Sequence, residues 1–93
     1  MNAIAKKTVE TLNNFQGTCG KFWTERYHNC VGYWTYTFGS LSIQRAICIH
    51  VLFNGEEIGC FHPDKPEYDA IASALENAKR GERARAKNAF LNT

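Results

Sequence analysis

Asn54-Gly55 stands between two stretches of alternating apolar residues, and that dipeptide commits the middle of the chain to an antiparallel hairpin. Both central positions of a type I′ turn require positive φ, which asparagine tolerates and glycine adopts without strain. Upstream, Ser42 to Phe53 alternates through Ile43, Ile47, Ile49, Val51 and Phe53, and downstream Glu56 to His62 returns as a strand. Gly39-Ser40 is a second turn signal. Val31 to Phe38 before it carries Tyr33, Trp34, Tyr36 and Phe38, side chains that fit a pleated, half-buried surface. Lys21 to Arg26, mixing aromatic and charged residues, supplies one more strand.

Helical patterns flank this region. Ile4, Ala5, Val9, Leu12 and Phe15 form an apolar stripe over residues 3–16, with Gly17 placed to end the helix. Pro63 and Pro66 close the sheet, since neither can donate to a ladder. Asp64 is placed to cap a second helix beginning near Pro66, whose buried face is Ile71, Ala74, Leu75 and Ala78. Gly81 weakens that helix, and a basic continuation runs to about Leu91. The expected fold class is therefore α+β in the order α-β-β-β-β-α, a four-stranded antiparallel sheet with two helices packed on one face. At 93 residues the chain fits a single domain, 1–93, with a basic C-terminal helical extension at about 79–92.

Two-residue turns fix a register. Phe38 pairs with Leu41, Tyr36 with Ile43 and Trp34 with Arg45; Phe53 pairs with Glu56, Val51 with Ile58 and Ile49 with Cys60. Alternation then places Trp34, Tyr36, Ile43, Ile47, Ile49, Val51, Ile58 and Cys60 beneath the helices. Tyr33, Thr35, Thr37, Ser42, Gln44, Cys48, His50 and Phe61 fall on the open face. A slip of one residue would invert the assignment.

Charge narrows the function. The net charge is only +2, yet five basic residues (Lys79, Arg80, Arg83, Arg85, Lys87) stand against one acid, Glu82, between positions 79 and 87. Everything upstream is slightly acidic, so one end of the molecule is strongly positive and calls for an anionic partner. In a helix Arg80, Arg83 and Lys87 form one stripe, suited to a phosphate backbone. Exposed Tyr33 and Phe61 would add base stacking. The bland alternative is a basic helix end that complements its own dipole.

Three Cys–His pairs, His28-Asn29-Cys30, Cys48-Ile49-His50 and Cys60-Phe61-His62, invite a metal reading. The register separates them, with Cys48 and His50 on the open face and Cys60 and His62 on the covered one, so no metal and no cofactor is expected. Cys19, Cys30, Cys48 and Cys60 are expected as reduced thiols behaving as small buried hydrophobes. Arg45, opposite Trp34, is expected to stack on that ring. No nucleophile elbow, glycine-rich phosphate loop or paired-carboxylate site is present, which argues against an enzyme and against a small-molecule substrate. Met1 to Lys7 shows no basic region followed by an apolar stretch, and no apolar run approaches the length of a membrane span. A cytoplasmic protein is expected.

The short N-terminal helix, the segment Gly17-Thr18-Cys19-Gly20-Lys21-Phe22, the strand Tyr33-Trp34-Thr35-Tyr36-Thr37-Phe38 and the hairpin Phe53-Asn54-Gly55-Glu56 together resemble small phage-encoded anti-CRISPR proteins, inhibitors of type I-F systems most of all. The resemblance implies a stoichiometric inhibitor that binds a multi-subunit Cas ribonucleoprotein in the host cytoplasm. Such inhibitors contact Cas subunits and, in some cases, the crRNA guide, and block target DNA hybridisation or docking. The basic end departs from the acidic DNA mimics among such inhibitors and suits a guide backbone or an acidic Cas surface. The alternative is a small regulator that binds RNA or DNA directly through the basic C-terminal helix.

Overall fold

A computed structural model describes residues 2–25 and 32–92. Helix α1 (Ala3–Asn13) is followed by strands β1 (Gly20–Thr24), β2 (Tyr33–Phe38), β3 (Leu41–Arg45), β4 (Ile49–Phe53) and β5 (Glu56–Phe61), and by helix α2 (Pro66–Leu91). The strands form one antiparallel meander in sequence order. Expectations placed on residues 26–31, including the His28–Cys30 pair, fall outside the described residues.

The α+β class stands, but among the described residues the sheet has five strands rather than four. The run Ser42 to Phe53 is not one strand: it folds back at Ala46-Ile47-Cys48, bringing Arg45 opposite Ile49 and Ile43 opposite Val51. Ala46 N–H donates to the Cys48 carbonyl at 3.0 Å to close this turn. Three residues lie between the partners, so alternation continues in phase across the turn, and Ile43, Ile49 and Val51 share a face. Ile47, at the turn's apex, is 70% exposed instead of covered.

The other turns follow their residues. Asn54 (φ 52) and Gly55 (φ 83) both take positive φ, as does Gly39 (φ 63). The β2–β3 pairing is the expected one, Trp34 with Arg45 through Phe38 with Leu41. The β4–β5 pairing begins as expected at Phe53 and Glu56, then slips by one residue between Val51 and Leu52. Leu52 meets Glu57 and Val51 meets Gly59, which leaves Ile58 as the extra residue of a β-bulge. Beyond the bulge every assignment on β5 inverts. Phe61, expected on the open face, is buried in the core, while Cys60, expected beneath the helices, is exposed.

The core forms a single cluster. Ala5 and Leu12 from α1 and Ile71, Ala74 and Leu75 from α2 pack on Tyr36, Phe38, Leu41, Ile43, Ile49, Val51 and Phe61. By the register these sheet residues all point to one side, so both helices cover the same face.

The helix ends differ from the expected ones. Asn2 caps α1, its Oδ1 accepting from Ile4 N at 2.7 Å and Ala5 N at 3.3 Å. The helix stops at Asn13 with Asn14 as its C-cap, so Gly17 does not terminate it. Lys65, not Asp64, occupies the N-cap of α2 and makes no side-chain capping bond, with Pro66 in the first turn. The helix then passes unbroken through Gly81 for 26 residues. At about 1.5 Å per residue it is roughly 39 Å long, against a longest molecular extent of 46 Å. Among the described residues no helix is long and apolar enough to cross a membrane.

Candidate nucleic-acid interface

The five basic residues of α2 separate into two groups. Lys79 faces the sheet: its Nζ donates to Glu76 Oε1 at 3.1 Å and lies 4.6 Å over the Tyr36 ring. Arg85 turns to the loop after α1, its Nη2 donating to the Gly17 carbonyl at 3.2 Å. Both therefore have structural work. Arg80, Arg83 and Lys87 are exposed, with Arg80 reaching Asn77 Oδ1 on its own helix.

Arg83 does not stand alone. It lines a cleft of 260 Å³ between α2 and β1 together with Cys19, Lys21, Tyr36, Lys79 and Glu82. Four of those six side chains are cationic or aromatic. Lys21 extends the cleft along the sheet edge, its Nζ 4.6 Å above the Trp34 ring. Trp34 in turn meets Trp23 edge-to-face with centroids 5.2 Å apart. The two indoles are 37% and 46% exposed, at the β1 side of the sheet and outside the buried core that the helices cover. On the far side of Trp34 lies its ladder partner Arg45. Arg45 does not stack on Trp34 as expected; its Nη1 bridges to Glu76 Oε1 at 3.1 Å, and Lys21 takes the place over the ring.

Glu76 joins the arrangement from the middle of α2. One oxygen accepts from both Arg45 and Lys79. The Lys79 hydrogen bond, helped by the charges of Lys79, Arg45 and Arg80 and opposed by partial burial, holds its carboxyl below the usual carboxylate range. Glu76 thus stays ionised and orients two cations. In the cleft itself burial pushes the Cys19 thiol up, with Glu82 adding to it.

Tyr33 lies half-buried on the opposite face, away from this surface. Phe61 is in the core and has no ring to offer a ligand. The candidate residues that sequence reasoning missed are Lys21, Trp23 and Trp34. Trp34 lies on the same face as Tyr36 and Phe38, as the register predicts, but it is 37% exposed rather than covered.

Two other features lie apart from this surface. A mostly apolar recess of 340 Å³ between α1 and the sheet end is lined by Ile4, Phe38, Leu41, Phe53 and Ile58 together with Lys7, Thr8, Thr11 and Ser40, and the two threonine hydroxyls already donate to α1 carbonyls. On the open face, Cys48, Cys60 and His62 bring their ligand atoms within 4.8 Å of one another. Burial and the neighbouring Cys48 push the Cys60 thiol up.

Comparisons with family models, curated proteins and solved structures find no match to this chain.

Proposed function

We propose that this protein binds single-stranded nucleic acid through the surface formed by Lys21, Trp23, Trp34, Arg80, Arg83 and Lys87, and that it acts by binding rather than by catalysis. The observation that carries this reading is the exposed Trp23–Trp34 pair with an ammonium over one ring, bordered by the cleft that Arg83 lines. Unpaired bases stack on exposed aromatic rings, and each such contact is worth about 1–3 kcal/mol. The cations beside the rings match the phosphates that connect those bases. Duplexes keep their bases stacked inside, so the indoles favour a single strand.

The strand can be free or held in a ribonucleoprotein. A guide RNA within a Cas complex is the held form that the anti-CRISPR resemblance implies, and a transcript is the free form. Fluorescence anisotropy with labelled 20-nucleotide RNA and DNA at low and moderate salt tests the shared chemistry. Binding that weakens steeply with salt is expected. No binding to any single strand at low salt would overturn the reading. Capture of a purified type I-F surveillance complex, with and without RNase treatment, separates the two forms.

A further inference from the structure

The bulge at Ile58 places Cys60 and His62 on the same open face as Cys48 and His50. Cys60 pairs with His50 in the ladder, and continuing that register sets His62 opposite Cys48. The four residues thus form the corners of a square across β4 and β5. Three corners converge. Cys48 Sγ lies 3.2 Å from His62 Nδ1, and the ligand atoms of Cys48, Cys60 and His62 all lie within 4.8 Å of one another. The fourth corner is occupied differently, since His50 Nδ1 is 2.5 Å from Glu57 Oε1.

Two thiols and an imidazole form a donor set matched to zinc. With Zn–S about 2.3 Å and Zn–N about 2.0–2.1 Å, a tetrahedral ion separates its ligand atoms by roughly 3.6–3.8 Å. The spacing present brackets that value, so side-chain rotation of a fraction of an ångström up to about one closes the site without moving the backbone. Cys48 is held in the tight β3–β4 turn by the hydrogen bond from Ala46 N–H to its carbonyl, and Cys60 is held by its ladder pairing within β5. His62 directly follows β5, one residue before Pro63 limits the backbone.

We propose that Cys48 Sγ, Cys60 Sγ and His62 Nδ1 form a zinc-binding site with a solvent molecule as fourth ligand. The site lies on the face opposite α2 and does not depend on the nucleic-acid reading. Its ligands tie the β3–β4 turn to the end of β5, so a bound ion clamps the sheet edge next to the start of α2.

The test uses the full chain, reduced with a phosphine and stripped with EDTA. Cobalt(II) is titrated in, then displaced by zinc. The expected result is one equivalent, with a thiolate-to-cobalt charge-transfer band in the near ultraviolet and tetrahedral visible bands that zinc abolishes. Cys48→Ser, Cys60→Ser and His62→Ala should each lower zinc affinity at least about tenfold, since even groups supporting a ligand are worth that much. Alkylation gives a readout that needs no variant: zinc should protect two thiols that EDTA exposes. Absence of the charge-transfer band, affinity unchanged in Cys48→Ser and Cys60→Ser, or equal alkylation with and without zinc would each overturn the site.

Discussion

Lys21 Nζ stands 4.6 Å above the ring of Trp34, a diagonal contact between two strands at the uncovered edge of the sheet. An exposed cation–ring contact contributes about 0.5–1 kcal/mol to the fold, too little to explain two exposed indoles by stability alone. Under the proposed function they serve as a stacking platform. Trp34→Ala and Trp23→Ala should each weaken single-strand binding by about 1–3 kcal/mol. That corresponds to roughly fivefold to 150-fold in Kd. Anisotropy titrations read the loss, and circular dichroism should show the sheet retained. Wild-type affinity in both variants would remove the platform.

The cations of α2 should separate by role. Replacing Arg80, Arg83 and Lys87 together with alanine removes three candidate phosphate contacts and should flatten the log Kd against log salt slope by about two units for a single strand. Arg85→Ala should leave that slope unchanged, because its guanidinium is engaged with the Gly17 carbonyl. A slope insensitive to the triple substitution would place the phosphates elsewhere.

Glu76 makes stability depend on pH in a definite direction. Its carboxyl is held below the usual range by the Lys79 hydrogen bond first, then by the charges of Lys79, Arg45 and Arg80. A depressed folded-state pKa means that the unfolded chain takes up the proton first as pH falls. The stabilisation is therefore complete above the ordinary glutamate range and is lost as pH drops through the lower, folded value. The side chain is 40% exposed, so solvent screening limits the effect to at most about 1 kcal/mol. Urea unfolding at a series of acidic pH values should show a shallower decline for Glu76→Gln than for the wild type. Parallel declines would mean that Lys79 and Arg45 do not hold the carboxylate in solution.

The helices, the Asn54-Gly55 and Gly39 turns and the β2–β3 register were legible because each rests on a strong local preference. The β3–β4 turn was not. Arg45-Ala46-Ile47-Cys48 contains no glycine, proline or asparagine, and its odd length keeps the alternation in phase, so two short strands read as one long one. The bulge was equally silent, since one extra residue leaves no mark on composition. Its consequence is large: it carried Phe61 into the core and brought Cys60 and His62 beside Cys48. The basic stripe on α2 was legible from spacing, whereas the aromatic half of the surface depended on how far α2 reaches across the sheet, a tertiary quantity that periodicity does not encode.

Gly81 lies inside α2 without a positive φ to justify it. Alanine there should stabilise the helix by up to about 1 kcal/mol through propensity. The new Cβ would meet only Arg85 Nη1, at 3.3 Å, the far end of a flexible side chain. Thermal unfolding of Gly81→Ala should show a higher Tm. A lower one would mean that shifting Arg85 breaks its bond to Gly17 at greater cost than the helix gains.

Gly59 answers to the opposite logic. It follows the bulge and faces α1, where an added Cβ would stand 3.2 Å from Ile4 Cγ2 and 3.1 Å from the Phe61 ring. Those neighbours belong to the core packing between α1 and β5, so the methyl group must push the helix outward or twist Phe61. Overpacking of this kind costs about 1–3 kcal/mol. Ile4→Ala alone leaves a partial cavity and is destabilising too. If the steric account is right, the double variant Gly59→Ala with Ile4→Ala is less destabilised than the two single effects added, by at least about 0.5 kcal/mol. Denaturant unfolding of all four proteins closes the cycle. Strict additivity would show that α1 does not press on β5 at this point, and that glycine is required there for the bulge itself rather than for the helix above it.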